Sequence, residues 1–466
     1  MQQFPRHNND NIARAESIAR ATERVTDRAS NSRTPSAMGG SVTRRRFLGC
    51  SACGVAVPYL VSSAAWGADG RPPSERITTA LIGSGSRGQQ IMAGGDRVLA
   101  VCDVDAKRRE EARQQIDALA GDRSCKAYND FREVLDREDI DGVVIATPDH
   151  WHAFMSVAAI KAGKAVYIEK PMTLTVREGR LMVDIVRRYN GILQVGSQQR
   201  SDEKFIRACE LVRNGRLGKL HTIKVMIVAR AGKNSGPWQP QPVPPELDYD
   251  LWLGPAPWAP YHKDRCHYNF RFVSDYSGGD MTNWGAHHLD IVQWALGADD
   301  SGPLEVSAQG KRNPNGLHDA YYDVSAEYIY PNDVKVILGS ASTGIRTGGV
   351  RFEGSEGWIY VSREQLDAEP KSLLTSAIGP NEIHLAPEST AGTHMGIWLD
   401  AIRKRSPRLV NVPVEVGHRS TTVCHLANIS MELGRKLRWD PVAEMVIGDD
   451  EANRLLARSA REPWRL

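Results

Sequence analysis

The sequence predicts an α/β chain: an N-terminal doubly wound parallel sheet followed by an α+β domain with an open, mostly antiparallel sheet. Three observations carry this expectation. From Ile77 to about residue 200, short apolar runs alternate with longer helical patterns, the order that builds a parallel sheet with crossover helices. The glycine-rich stretch GSGSRG, Gly83 to Gly88, falls where the first apolar run gives way to the first helix. After Arg200 the strand-like runs lack regular intervening helices, as in an antiparallel or mixed sheet covered on one face.

The strand runs of the first part are ITTALIG, RVLAVCD, GVVIAT, AVYIEK and LQVGSQ, with helices beginning near Arg87, Ala106, His152 and Val176. They assign residues 76–200 to one doubly wound domain and leave 201–466 to a second, α+β domain. There a helix from about Glu203 to Asn214 leads into LHTIKVMIVAR, and an apolar helix runs from about Met281 to Leu296. Strand runs follow at LEVSAQGKR, YYDVSAEYIY, DVKVILGSAS and VRFEGSEGWIYVS, then helices near His394 to Lys404 and Glu415 to Lys436. The segment Ala231 to Ser274 is too long for a mere connection, which marks it as functional.

A chain of 466 residues suits two domains with separate cores. The net charge of +3, much of it located before Gly49, leaves no electrostatic footprint for nucleic acid. Residues 1–42 are polar without apolar periodicity and read as a disordered arm, with Met38 as the expected true start. Residues 43–67 resemble a twin-arginine signal: Arg44 to Arg46, Phe47 and Leu48, a weakly apolar run broken by Gly49, Gly54 and Pro58, then Ser63, Ala64 and Ala65. Export of a folded protein to the periplasm or another extracytoplasmic space is expected, with no stable membrane insertion after cleavage. Cys50 and Cys53 leave with the signal. Cys102, Cys125, Cys209, Cys266 and Cys424 form no close CxxC pair, so neither a disulfide framework nor a zinc site is indicated.

The motifs carry chemistry. Gly83, Ser84, Gly85, Ser86, Arg87 and Gly88 let backbone N–H groups approach a pyrophosphate at a helix start. Asp103, ending the next strand, is spaced to accept ribose hydroxyls and to repel a 2′-phosphate, which favours NAD over NADP; Lys107, Arg108 and Arg109 temper that preference. The runs VVIATPDHWHA and AVYIEKPMT place Thr147, Pro148, His152, Glu169 and Lys170 at the carboxyl ends of buried strands, where ligands bind in open α/β sheets. A desolvated Lys170 beside a nicotinamide cation has a lowered pKa and can take a proton from a substrate hydroxyl. In SGGDMTNWGAHHLDIVQWALG, His287 lies four residues beyond Asn283, on one helical face. Asp280, His288 and Asp290 crowd nearby in a spacing that matches no zinc or iron pattern, so no metal is expected and His288 reads as a satisfied core histidine.

Between Gly236 and Phe272 stand Trp238, Trp252, Trp258, Tyr261, His267, Tyr268, Asn269 and Arg271. Two readings stay open: a carbohydrate platform of aromatic faces with hydroxyl-binding side chains, or rings and prolines that stiffen a loop or an interface. The substrate-binding candidates are Arg200, His267, Asn269, Arg271, Trp284 and His287.

Together GSGSRG, Asp103, TPDHWH, EKP and GGxxxNxGxH resemble the Gfo/Idh/MocA family, over essentially all of the chain from about Arg76 onward. The resemblance implies a Rossmann domain, a C-terminal open sheet that often makes homo-oligomers, and NAD(P)-dependent oxidation of a sugar or polyol at a CH–OH carbon. It also implies that Lys170 assists proton transfer and that His287 contacts the substrate hydroxyl as acid or base. Asn283 departs from the family pattern, in which many members carry aspartate. An amide orients a hydroxyl but neither takes its proton nor stabilises an imidazolium. Either Lys170 and His287 suffice, or a carboxylate such as Asp280 substitutes, or activity is altered or lost. The expected function is an exported oxidoreductase with tightly bound NAD acting on a sugar, polyol or glycoside. The alternatives are an NAD-dependent glycosidase working by transient oxidation, elimination, hydration and re-reduction, and a non-catalytic dinucleotide sensor.

Overall fold

Short strands buried on both faces build the first sheet, as expected of a parallel sheet covered by helices. The computed structural model describes residues 76–92, 96–228, 236–341 and 348–466. The expected arm, Met38 and the 43–67 signal lie outside these residues. In chain order come β1 (Thr78–Ile82), α1 (Ser86–Met92), β2 (Arg97–Cys102), α2 (Ala106–Ala120), β3 (Lys126–Tyr128), α3 (Phe131–Leu135), β4 (Gly142–Ile145), α4 (Asp149–Lys161), β5 (Ala165–Ile168), α5 (Val176–Arg188) and β6 (Leu193–Val195). All pairs are parallel in the order β3-β2-β1-β4-β5-β6. The order reverses between β1 and β4, which opens a crevice at their carboxyl ends.

Local chemistry sets the ends of the helices around that crevice. The Asp105 carboxylate accepts the N–H groups of Lys107 and Arg108 to start α2, and Gly121 ends it at φ +70°. A Thr175–Glu178 capping box starts α5. Helix α4 begins at Asp149, directly after Pro148 and ahead of the expected His152, because proline cannot continue a helix interior but fits its entrance. The three-residue β3 and the single-turn α3 are too short to show a periodicity in sequence.

The second sheet follows α6 (Glu203–Arg213) and comprises β7 (Leu220–Val228), β8 (Glu305–Lys311), β9 (Tyr322–Ile329), β10 (Lys335–Ala341), β11 (Gly349–Gly354), β12 (Gly357–Val361), β13 (Leu366–Glu369), β14 (Leu437–Asp440) and β15 (Met445–Val446). The strand order is β13-β12-β11-β7-β10-β9-β8-β14-β15, with β7 and β10 parallel and every other described pair antiparallel. Between β7 and β8 lie α7 (Tyr249–Leu253), a π-helical turn Met281–Gly285 and α8 (Ala286–Leu296); α9 (His394–Arg403) and α10 (Val414–Leu433) follow β13, and α11 (Asp450–Arg454) follows β15. Alternate residues such as Ile223, Val225, Ile227, Val336 and Leu338 point into one core with residues of α6, α8 and α10. Lys224–Glu353 and Lys335–Glu327 ion pairs mark more exposed positions of the same strands.

Packing crosses residue 200. Trp398 of α9 is fully buried with Leu81, Val101 and Tyr167 of the first sheet. Trp464, near the C-terminus, meets Trp151 of α4 edge-on with centroids 4.6 Å apart. The segment 201–466 therefore contributes to both layers. Cys102, Cys125, Cys209, Cys266 and Cys424 are buried free thiols. Among the described residues, no helix is long and apolar enough to cross a membrane.

Candidate active site

The turn from β1 to α1 is shaped by three glycines that do different work. Gly83 has φ +89°, and a Cβ there would lie 2.7 Å from the Ala146 carbonyl, so no other residue fits without displacing β4. A Cβ on Gly88 would lie 2.1 Å from the Gly83 carbonyl oxygen, so α1 packs on the turn through bare backbone. A Cβ on Gly85 would meet nothing closer than the Arg108 guanidinium at 3.8 Å, which leaves this backbone open for a ligand to approach. Asp103 Oδ2 accepts the Ser84 N–H at 2.8 Å and its hydroxyl at 2.9 Å, while Oδ1 accepts the Asp105 N–H at 3.0 Å. Those three bonds leave about one of the carboxylate's four acceptor positions for a hydroxyl.

The crevice has an outer and an inner part. The outer part, about 350 Å³, is lined by Gly83, Gly85, Asp103 and Arg108 and has an apolar wall of Phe131, Trp151 and Met155. The inner part, about 340 Å³, is lined by Asp149, Lys170, Asn283, Trp284, His287 and Arg363. Ser86, Arg87, Ala146, Thr147, Tyr268, Phe270 and Arg271 line both, so they form the neck where the two meet. Arg87 reaches from α1 to Glu169 at the end of β5, with Nε 2.8 Å from Oε1. On the other wall the Arg271 guanidinium stacks 4.0 Å from the Tyr268 ring centre and 4.8 Å from that of Phe270.

In the inner part, Lys170 Nζ donates to the Asn283 carbonyl oxygen at 3.1 Å and to its Oδ1 at 3.3 Å. The wider π-helical turn at Met281–Gly285 presents that carbonyl to the lysine. Burial pushes the Lys170 ammonium down to about 8, with Glu169 opposing and Arg271 assisting. Burial, then the neighbouring charges of Lys170 and Arg363, hold His287 well below the usual imidazole range, so its ring is neutral. Its Nδ1 is buried without a protein partner, as is the Thr147 hydroxyl at the neck. Asp149 is buried and accepts the Ser277 hydroxyl at 2.5 Å; burial raises its pKa against the pull of His152, Ser277, Arg271 and Lys170.

Several expected site residues fall elsewhere. Arg200 is 2% exposed, paired with Asp290 and Asp299 at 2.8 Å each, and lines neither part of the crevice, because a guanidinium this deep must be neutralised. The ring nitrogens of His152 face the carbonyl oxygens of Pro171 at 2.7 Å and Thr147 at 2.9 Å, so the ring ties two loops together although it lines the inner part. His267 lies in the outer part, 3.7 Å from the Asp105 carboxylate, on the side of Asp103 rather than of Lys170. Asn269 lines neither part, and nor does Asp280, which is buried. Tyr261 is buried in a cluster with Tyr249, Tyr276 and Trp252, of which Trp252 also lines the outer part; Arg265 lies over Trp238, and Trp258 is exposed outside the crevice. The long segment is thus largely its own small core, and its stretch from His267 to Phe272 walls the neck.

Gly83, Ser86, Arg87, Asp103, Thr147, Pro148, Glu169, Lys170, Asn283, Trp284 and His287 all line the crevice, while Ser84 and Gly88 support its turn. The residues not anticipated are Asp149, Ser277, Phe270 and Arg363, together with the wall of Phe131 and Trp151. Asp149 and Trp151 left a signal, both inside TPDHWH, and Phe270 lies in the long segment between Gly236 and Phe272. Among the described residues no group of three or more His, Cys, Asp or Glu could hold a metal ion.

Residues 77–197 match the family model described as "Oxidoreductase family, NAD-binding Rossmann fold" and residues 210–466 the one described as "Oxidoreductase family, C-terminal alpha/beta domain". The chain is 29% identical over 150 residues to myo-inositol 2-dehydrogenase of Thermotoga maritima, a match covering 32% of this chain and 40% of that protein. It is 35% identical over 121 residues to glycosyl hydrolase family 109 protein 2 of a Shewanella species, covering 24% of this chain and 26% of that one. Both matches span less than half of the relative. The fold is similar to that of an aldose-aldose oxidoreductase from Caulobacter crescentus solved with glycerol, with a TM-score of 0.57 and 20% identity over 78% of this chain and 99% of that one.

Proposed function

The chain belongs to the Gfo/Idh/MocA oxidoreductase family, matching both of its domain models, and from that premise we propose that it oxidises a hydroxyl carbon of a sugar, polyol or glycoside with NAD that stays bound. One observation carries the proposal. Lys170, Asn283 and His287 converge at the inner end of a crevice whose outer end is open backbone at Gly85 and a preset carboxylate at Asp103. The residues fit a dinucleotide: the glycine turn for the pyrophosphate, Asp103 for the adenosine ribose, the apolar Phe131–Trp151 wall for the base, and the orphaned Thr147 hydroxyl at the neck. Asp103 favours NAD over NADP. When bound, the nicotinamide supplies hydride acceptance.

The chain's own residues handle the proton and the position of the hydroxyl. With a pKa of about 8, Lys170 has a substantial neutral fraction near neutrality and can accept the hydroxyl proton. Asn283 fixes the Nζ by two acceptors. Neutral His287 offers one nitrogen to a second hydroxyl, and Trp284, whose ring lies under Arg363 at 5.0 Å, supplies an aromatic face. The neck supports retention of a bound cofactor, since Arg87, held by Glu169, and the Arg271 stack both line the passage between the outer and inner parts.

Retention gives the twin-arginine resemblance of residues 43–67 a purpose. A protein that folds around its cofactor in the cytoplasm and is exported finds no pool to exchange it, so each turnover must restore NAD, through a second carbonyl substrate. A second reading closes the cycle on one substrate: the similarity to a glycosyl hydrolase family 109 protein favours cleavage of a glycoside by oxidation, elimination, hydration and re-reduction. The test is a mass spectrum of natively purified protein together with product analysis over a panel of sugars, polyols and glycosides. Retained NAD with keto products supports the first reading, and released sugar without net NADH the second. Retained NAD with no product leaves the sensor, and absence of NAD overturns all three. Sedimentation of the same sample tests the expected homo-oligomer, and fractionation of producing cells tests export.

A further inference from the structure

The inner crevice carries more positive charge than its own carboxylates neutralise. Four cationic side chains line it, Arg87, Lys170, Arg271 and Arg363, against two carboxylates, Asp149 and Glu169. Glu169 is occupied by Arg87 at 2.8 Å and by Gln198 at 3.0 Å. Asp149 accepts the Ser277 hydroxyl, and Lys170 donates to the neutral Asn283. Arg363 is left over. Among the described residues its guanidinium takes part in no ion pair and no side-chain hydrogen bond; its contact is the Trp284 ring, whose centre lies 5.0 Å from Cζ. A π face orients a guanidinium without cancelling its charge, because it offers a quadrupole and not an anion. Arg200, by contrast, is neutralised by Asp290 and Asp299.

The turn between β12 and β13 fixes where Arg363 stands. Ser362, 2% exposed, accepts the N–H groups of Glu364 at 3.2 Å and Gln365 at 3.1 Å, and its own N–H meets the Gln365 carbonyl at 2.8 Å. From this turn the side chain reaches over Trp284 into the crevice. On from Trp284, with ring centres 5.7 Å apart, lies His287. That imidazole is 9% exposed and its Nδ1 has no protein partner, so the hydrogen bond it lacks is left to whatever fills the crevice. Exposure falls from Arg363 through Trp284 to His287, so the three stand in a row from the mouth inward.

We propose that the substrate is an anionic sugar, a uronate or another sugar acid, whose carboxylate is held by Arg363. The inference rests on the oxidoreductase reading above and names its substrate class. A guanidinium presents two parallel N–H groups that match the two oxygens of a carboxylate, a match that a neutral hydroxymethyl group cannot make. With the acid end at Arg363, the hydroxyl end of the same molecule is directed inward to His287 Nδ1 and the Lys170 amine.

The experiment is isothermal titration of the full-length protein loaded with NADH, so that no hydroxyl is oxidised during the measurement. The probes are matched pairs, glucuronate with glucose, galacturonate with galactose and mannuronate with mannose, together with the methyl ester of each uronate. At least one uronate should bind about ten- to a hundredfold tighter than its neutral partner, the range for a charge-assisted, two-point hydrogen bond. Its ester, alike in shape but uncharged, should bind like the neutral sugar. In Arg363→Gln the gap should close, and in Arg363→Glu the uronate should fall below its neutral partner. Position 363 is exposed, so neither change touches the core. The proposal is overturned by the absence of any uronate that outbinds its neutral partner, by an ester as tight as its acid, or by a gap that survives either substitution. Weaker NADH binding in Arg363→Gln with the gap intact assigns the arginine to the cofactor and overturns it as well. Binding is read without turnover, whereas the oxidoreductase reading is decided by products and NADH, so either can fail alone.

Discussion

The outer and inner parts of the crevice are assembled in opposite ways. The outer part comes from neighbours in sequence, the turn Gly83 to Gly88 and Asp103, which bonds Ser84 only 19 positions away. The inner part brings Lys170 to Asn283 across 113 positions and Asp149 to Ser277 across 128. The glycine turn with its carboxylate is therefore a property of one βαβ unit, whereas the Lys170–Asn283 and Asp149–Ser277 contacts are a property of how two sheets and their helices meet. Changes in one part should leave the other's measurement nearly intact.

The largest expected effect breaks the inner part alone. Lys170→Ala should lower turnover by roughly 10²- to 10⁴-fold, the range for a lost general acid or base, with NAD retained on native purification. Equal loss of NAD would erase the distinction between the parts. In the intact protein, oxidation should accelerate as pH rises through about 8, where Lys170 loses its proton. Asn283→Asp should move that rise to higher pH, since an added carboxylate beside Nζ stabilises the ammonium.

Next in size is the outer part. Asp103→Ala should weaken NAD binding by about 1–3 kcal/mol, the scale of losing a charge-assisted hydrogen bond and stranding its donors. Isothermal titration of protein stripped of NAD checks this, and kcat at saturating cofactor should hardly move. The neck lies between the two. Arg271→Ala removes both ring contacts and should speed NADH release by about fivefold, near 1 kcal/mol for a partly exposed cation–π stack, measured by fluorescence after mixing with excess NAD. An unchanged release rate would strip the neck of its retaining role.

The smallest effect concerns the frame that holds the two parts in register. Glu415 joins α10 to α5 through Arg180 at 2.8 Å. Burial alone would raise its pKa, but Arg180 and Arg419 bring it down to about 2. A depressed carboxylate contributes stability above its unfolded value, near 4.5, and loses that contribution as pH falls towards the folded one. Glu415→Gln should therefore lower the melting temperature by a few degrees at pH 7, and the difference should shrink as pH falls from about 4.5 towards about 2. A constant difference across that window would assign the effect to packing instead.

The legible parts of this protein are those whose physics is short-ranged. The parallel sheet could be read from buried apolar runs, the glycine turn from its spacing at a strand end, and the shared placement of Asn283 and His287 in the crevice from their four-residue separation. Lys170 could be read because it ends a fully buried strand at an edge where ligands bind. Short elements such as β3, α3, β13, β14 and β15 carried too few residues to show a period.

Other assignments depended on which surfaces came to lie against each other. Arg200 and Arg271 are the same residue type in comparable polar settings, and both were reasonable substrate ligands from sequence. Packing seats Arg200 between Asp290 and Asp299, where its charge is neutralised in the interior, and leaves Arg271 on two rings at the neck. Asp149 and Asp280 contrast in the same way: both are buried, but the turn after β4 aims the first into the crevice while the second lies behind it. The sequence by itself determined the sheet, the glycine turn and the buried strand that ends at Lys170, because turns, strand period and steric exclusion act over a few residues. Only the tertiary structure decided that Asp149 and not Asp280 lines the crevice with Lys170, and that Arg271 and not Arg200 stands at its neck, because a charged side chain takes its place from the surfaces that packing brings against it.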